Sequence, residues 1–348
     1  MVFRFFFFSL LLLAASCQPT STHTTRIAFG SCGNQDVRQP VLDVAVSYQP
    51  DLFIFLGDNI YGDTDVMDTL RNKYARWGAQ PYFQRLAQST RILATWDDHD
   101  YGRNDSGRHY PYKAESKQIF LDFFKEPADS PRFGHEGIYH AVYEKFGDKT
   151  VQIILLDVRT FRDDLLRFDK NKRYNLPRSH YFYDLDYVPH TNKDSTLLGA
   201  EQWAWLEGEL YRPAHVRIVA SGSQFGIEFN GYEAWANFPQ EQQKMLDLIK
   251  KTRANGVLFL SGDVHYAEIS RLDAPGLYPI YDITASGITS TWDFACPNQN
   301  RIEGPVMDNH FGLLSIDWQK DPVLKMEIID VKRNQRVEYS TRLSELRF

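Results

Sequence analysis

An α/β layered fold is what this sequence predicts, and three observations carry the prediction. Six apolar, strand-like runs recur along the chain and end in Gly, Asp or Ser. Segments with helical spacing lie between them, and strands alternating with helices imply a sheet-and-helix layering. At 348 residues and 43% hydrophobic, the chain holds enough apolar material for a sizeable core and is neither disordered nor fibrous in composition.

The elements follow in chain order. "MVFRFFFFSLLLLAASC" carries Arg4, an apolar stretch from Phe5 to Leu13 broken by Ser9, and then small residues. That stretch is too short to span a membrane and has the layout of an export signal. Ala14, Ala15 and Ser16 before Cys17 resemble a bacterial lipoprotein box, so Cys17 is the expected lipidation site and the membrane a partner through that anchor. Ordinary cleavage nearby is the other reading, and both export the chain to the cell envelope, periplasm or medium. A Thr/Ser/Pro linker over 18–25 follows, and 26–348 reads as a single domain.

The six runs are "RIAFGSC" (26–32), "DLFIFLGDN" (51–59), "RILATWDDHD" (91–100), "VQIILLDVR" (151–159), "RIVASGSQ" (217–224) and "GVLFLSGDVH" (256–265). Helices are predicted over "RNKYARWGAQPYFQRLAQ", interrupted near Pro81, and over "SKQIFLDFFKE". A further pair is "AEQWAWLEGEL", with Trp203, Leu206 and Leu210 on one face, and the Pro239-initiated "PQEQQKMLDLIKK". The stretch 163–198, rich in Tyr, Asp, Lys and Pro, reads as a surface insertion over the site. From about 266, strands such as "YPIYDITAS", "FGLLSIDW" and "VLKMEIIDV" complete a second sheet, the last two as a hairpin around "QKDP".

A net charge of −6 argues against nucleic-acid binding through a general basic surface and leaves small phosphate esters open to a local site. Open α/β sheets place their sites beyond the carboxyl ends of strands. Those ends offer Cys32, Asp58, Asn59, Tyr61, Asp97, Asp98, His99, Asp100, Asn104, Asp157, Arg159, Gln224, Asp263 and His265. Any one Asp there is ordinarily a turn former or helix cap. A converging set is costly unless cations neutralise it. Of the cysteines, Cys32 and Cys296 admit a disulfide in an oxidising compartment.

"GDxxY" from Gly57, "DDHD" from Asp97 and "GDVH" from Gly262 match, in order, the blocks of binuclear metallophosphoesterases, whose usual forms are "GD", "GNH[ED]" and "GHxH". Tyr61, three residues after Asp58, resembles the iron-binding subset that includes purple acid phosphatases. Asp98 in place of Asn, Asp263 in place of His, and the "FGSC" opening resemble a narrower group, the alkaline phosphatase D (PhoD-like) family, from about Arg26 to Phe348. The resemblance implies a four-layer αββα sandwich and hydrolysis of phosphate monoesters or diesters outside the cytoplasm. Fewer than a dozen residues separate Cys17 from the first core strand, which leaves no room for the N-terminal β-sandwich of larger members.

On that resemblance Asp58 bridges two cations. One position collects Asp58, Tyr61, His265 and Cys32, a phenolate, imidazole and thiolate mixture that suits ferric iron. The other draws on the oxygen donors Asp58, Asp98, Asp263 and Asn104, which suit calcium; other divalent metals are compatible. A metal-bridging hydroxide would attack phosphorus in line, with His99 assisting the leaving group and Asp100 orienting it. The bland reading of His99 is a structural hydrogen bond to a ligand carboxylate. Arg159 and Arg162 would fork onto phosphate oxygens, or else form surface salt bridges. Gln224, Tyr232 and Trp235 would line the substrate pocket, with core packing the alternative for the aromatics. The chain is expected to be a monomer. The competing function is a non-catalytic, calcium-dependent surface-binding lipoprotein, which needs the ligands but not His99.

Overall fold

Two mixed sheets lie face to face and set the position of everything else. The computed structural model describes residues 24–174, 176 and 185–348. The export segment with Cys17, residues 18–23 of the linker, and residues 175 and 177–184 of the insertion lie outside them.

The chain opens with β1 (Thr24–Gly30), α1 (Pro40–Ser47), β2 (Leu52–Leu56), α2 (Met67–Gly78), α3 (Pro81–Ser89) and β3 (Arg91–Thr95). A single turn, α4 (Asp98–Tyr101), and α5 (Lys113–Phe123) lead into the hairpin β4 (His140–Phe146) and β5 (Lys149–Leu155). The insertion contributes the short pair β6 (Leu166–Arg167) and β7 (Tyr187–Val188). Then come α6 (Gly199–Tyr211), β8 (Val216–Ser221), α7 (Pro239–Thr252), β9 (Val257–Ser261), β10 (Ala267–Leu272), β11 (Ile280–Ala285) and β12 (Arg301–Val306). The chain closes with β13 (His310–Asp317), β14 (Val323–Asp330) and β15 (Gln335–Arg342).

The six-stranded sheet runs β15-β14-β13-β1-β2-β3 and the seven-stranded sheet β12-β10-β11-β9-β8-β5-β4. Strands β1, β2 and β3 are parallel, as are β5, β8, β9 and β11. Every residue of β2, "LFIFL", is buried because both faces of its sheet are covered. Ile27, Phe29, Ile54 and Leu56 pack between the sheets with Ile153, Ile218 and Leu258. The opposite face presents Ala28, Phe53 and Phe55 to α1, α2, α3 and α5, through Val41, Leu70, Trp77, Leu86 and Phe120. Trp203, Leu206, Met245 and Ile249 fix α6 and α7 over the seven-stranded sheet. The result is the expected helix–sheet–sheet–helix order.

Local signals account for the helices. Proline opens α1, α3 and α7, where its missing N–H is one the helix could not have used. Lys250 and Lys251 in the last turn of α7 face the negative end of its dipole. Among the described residues, no helix is long and apolar enough to cross a membrane.

One expectation changes. Strands β10 to β12 do complete the second sheet, but β13, β14 and β15 return to the first. Strand β13 runs antiparallel to β1, from Thr24 opposite Asp317 to Phe29 opposite Gly312. With β2 on one side only, β1 would otherwise leave its backbone groups unpaired on the other.

Candidate metal centre and active site

The loops that follow β1, β2, β3 and β9 meet at one place, and the backbones of those after β1, β2 and β9 are strained to do so. Cys32, Asp58, Asp263 and His265 all have positive φ, at 61°, 48°, 78° and 57°. Such a conformation costs an L-residue about 1–2 kcal/mol and concentrates at functional sites. Gly57, at φ 100°, makes the approach possible: a Cβ there would lie 2.5 Å from Asp97 Cβ and 2.8 Å from the carbonyl carbon of Trp96.

Ligand atoms of Cys32, Asp58 and His265 lie within 4.8 Å of one another. The Cys32 thiol sits 3.4 Å from Asp58 Oδ2, and Tyr61 Oη is 3.1 Å from His265 Nε2. The same spacing holds for Asp58, Asp98 and His99, for Asp97, Asp98 and Asp263, and for Asp98, Asp105 and Glu233. Asp58 and Asp98 thus link neighbouring groups. Asp58 Oδ1, Asp97 Oδ2 and Asp98 Oδ1 are buried without a hydrogen-bond partner. An unpaired buried carboxylate oxygen is expensive, and a cation is the partner that this donor set fits.

The electrostatics agree. Burial raises the pKa of Asp58 well above the carboxylate range, with Cys32, Asp98 and Asp97 adding to it. Burial does the same at Asp263, reinforced by Asp97, Glu233 and Asp98. At Asp98 burial opposes ionisation, but Arg159 and His99 outweigh it and hold the carboxyl low. Burial pushes the Cys32 thiol up to about 12 and Tyr61 upward as well, so both protons need a cation to displace them. Burial pushes His265 down to about 4, leaving a neutral imidazole, the ligating form. Burial also disfavours charge on His99, yet Asp98, Asp58 and Asp63 raise it to about 11.

Several sequence expectations are corrected. Asp100 does not orient His99. Its carboxylate turns inward, accepting from the backbone of Asp97 (2.7 Å) and Asp58 (3.2 Å) and from Tyr74 (3.2 Å). Asp63 holds His99 instead, Nδ1 to Oδ1 at 2.8 Å. Arg159 does not fork toward a ligand. It is fully buried, donating to Asp97 (2.5 Å) and Glu233 (2.6 Å), with Asp98 at 3.7 Å. Arg162 is equally buried, 3.1 Å from Glu233 and donating to the Asp105 carbonyl. Neither arginine forms a surface salt bridge. Gln224 is committed to Glu268 and Thr284, each at 3.0 Å, and Trp235 lies in the core, donating to Ser221 and set edge-on to Phe225. Asn104 lines the cavity but gives its amide to Asp105, and Asp105 is the neighbour that groups with Asp98. Cys32 and Cys296 are free buried thiols, so no disulfide joins them.

A cavity of about 210 Å³ opens onto this set, lined by Asp98, His99, Asp263, His265, Tyr232 and Trp292 among others. Sequence reasoning missed Asp63, Asp105, Glu233 and Trp292. Asp63 stands in the same "GDNIYGD" stretch as Asp58, and Glu233 is a lone acid in the aromatic "GYEAWANF"; Trp292 carries no motif.

Comparison with known proteins now has a site to refer to. Alkaline phosphatase D of Bacillus subtilis (strain 168) is 24% identical over 253 residues, covering 66% of this chain and 41% of that protein. The chain therefore spans about two-fifths of that relative's length. A solved structure of PhoD superposes with a TM-score of 0.73 at 18% identity, covering 95% of this chain and 72% of that one. Purple acid phosphatase PPD1 from yellow lupin (Lupinus luteus) gives 0.62 at 13% identity, covering 93% and 54%. These likenesses establish the fold, two mixed sheets flanked by helices. The family model for PhoD-like phosphatase matches residues 27–308, well over half of the sequence, and the chain belongs to that family.

Proposed function

We propose that this chain is a metal-dependent phosphoesterase that hydrolyses phosphate monoesters or diesters outside the cytoplasm, tethered to the membrane through a lipid on Cys17. The observation that carries the reading is the convergence of Cys32, Asp58, Tyr61, Asp98, Asp263 and His265, with buried carboxylate oxygens that lack a partner. Family membership implies divalent metal cofactors.

The donor chemistry supports two unlike positions. Cys32, Asp58, Tyr61 and His265 would hold iron, and Asp58, Asp98 and Asp263, with Asp105 or Asn104 nearby, would hold calcium. Bound cations would supply Lewis acidity and offset the charge gathered on the phosphoryl oxygens.

The residues themselves do the rest. Cys32 is braced by Ser286 at 3.1 Å, and Ser286 in turn accepts from the His265 backbone at 3.0 Å, so two donors share one support. Arg159 balances the charge of Asp97, Asp98 and Glu233 from behind and keeps them oriented. Asp63 fixes His99 through Nδ1, which leaves Nε2 to give a proton to the departing alkoxide. Asp63, which is not among the proposed metal ligands, holds the ring from its other nitrogen and favours its charged form.

The test is His99→Ala. Turnover of phosphate esters is expected to fall by about 10²–10⁴-fold with metal content retained, since proton transfer by a positioned group is worth that much. Unchanged turnover, or wild-type protein that releases no phosphate when metal-loaded, would reject the reading.

A further inference from the structure

We infer that Trp292 and Tyr232 form a stacking subsite for the alcohol portion of the substrate, selecting phosphate esters whose leaving group carries a flat ring close to the phosphate. This rests on the phosphoesterase reading and names the substrate class for the same site.

The cavity beside the metal donors has two kinds of wall. One is acidic, with Asp98, Asp263 and Glu233, and would be occupied by cations and the phosphoryl group they attract. The other is aromatic. The ring centroid of Trp292 lies 5.2 Å from that of the donor His265 and 5.2 Å from Tyr232. Phe294 backs it, stacked at 4.9 Å with planes only 9° apart, and also reaches Tyr232 at 6.5 Å. All three rings are half-buried rather than sunk in the core, unlike Trp235.

The wall is also held in register with the donors. The backbone N–H of Trp292 donates to the His265 carbonyl at 3.0 Å, and the backbone N–H groups of the preceding Thr289 and Ser290 donate to the Cys32 carbonyl at 3.1 and 3.2 Å. A group leaving phosphorus beside His265 therefore departs along an indole already set by the loops that carry two donors. Apolar rings left half-open beside so polar a cavity are poorly hydrated, and a flat ring covers them better than an alkyl chain does.

The experiment compares benzyl with propyl. Both are primary alcohols, so leaving-group chemistry is similar and ring stacking differs. Calorimetry would give the affinities of metal-loaded protein for benzylphosphonate and propylphosphonate, and kinetics the kcat/KM for the two phosphate monoesters. Wild-type protein is expected to favour the benzyl compounds by about tenfold in both measurements, the scale of one base-on-aromatic stack. Trp292→Ala should bring the benzyl-to-propyl ratio close to one, acting through KM, and Trp292→Phe should restore most of it. If Trp292→Ala fails to hold its metals, Tyr232→Ala supplies the same comparison, with a lowered ratio expected.

Equal binding of the two phosphonates by wild-type protein, or a benzyl preference that survives both alanine variants, would overturn the subsite. Benzylphosphonate selectivity without hydrolysis of either ester would uphold it while rejecting the phosphoesterase reading. Hydrolysis of both esters without preference would do the reverse.

Discussion

Arg159 is fully buried and divides its guanidinium between Asp97 and Glu233, with Asp98 3.7 Å away. Its partners hold its pKa well above the usual value against the opposing effect of burial, through Asp97, then Glu233, then Asp98. Removing one member of a buried ion pair strands the others and costs about 3–5 kcal/mol. Arg159→Met is therefore expected to lower the melting temperature and the retained metal together. A variant that keeps both and shows only a raised KM would return Arg159 to the role of phosphate clamp. At this scale the residues proposed as donors were legible, because each follows a strand inside a recognisable block. The acids that support them were not. Asp63, Asp105 and Glu233 sit in loops outside the short blocks that carry the motif, and burial of Arg159 and Arg162 depends on which distant loop meets them.

Between residue and fold stands the joint between β11 and β13. His310, at the start of β13, accepts from the Ser286 backbone at Nε2 (3.0 Å) and donates from Nδ1 to the Asp308 carbonyl (2.7 Å), an arrangement open only to the neutral ring. Ser286 follows β11 and supports Cys32 and His265. Burial pushes the pKa of His310 down to about 4 from an ordinary 6.5. The unfolded chain therefore takes up the proton first on acidification. The stabilising contribution is complete above pH 6.5 and is lost as pH falls toward 4. For a fully buried group it is on the order of 3 kcal/mol. Denaturant melts between pH 7 and 4 should show a shallower decline for His310→Gln than for the wild type, and parallel declines would contradict this. The strands at this joint were legible individually from their β-branched residues. Their assignment to the first sheet was not, since it is decided by the open edge of β1, some 280 residues earlier in the chain.

Across the whole molecule, the two sheets pack through a shared apolar core and meet again at the loops beyond their strands. Cys32, Asp58 and Asp98 come from the six-stranded sheet, and Asp263 and His265 from the loop after β9 of the seven-stranded one. Cations held there would cross-link the two halves, and any ligand bound only by the folded chain raises its stability. Chelation should therefore lower the melting temperature of the wild type, and an unchanged melting curve would deny the cross-link. The α/β layering was legible as a whole because alternation and strand ends are local features. The aromatic wall around Trp292 was not, because rings from separate loops form it.

The most direct measurement is elemental analysis of protein purified without added metal or chelator, with a visible spectrum of the same sample and of Tyr61→Phe. Iron near one equivalent, with calcium and a visible absorption band that disappears in Tyr61→Phe, is the expected result, since a phenolate on ferric iron absorbs in that region. Zinc or manganese in both positions with no such band would contradict the mixed iron and calcium centre. Absence of tightly bound metal would contradict the metal centre itself.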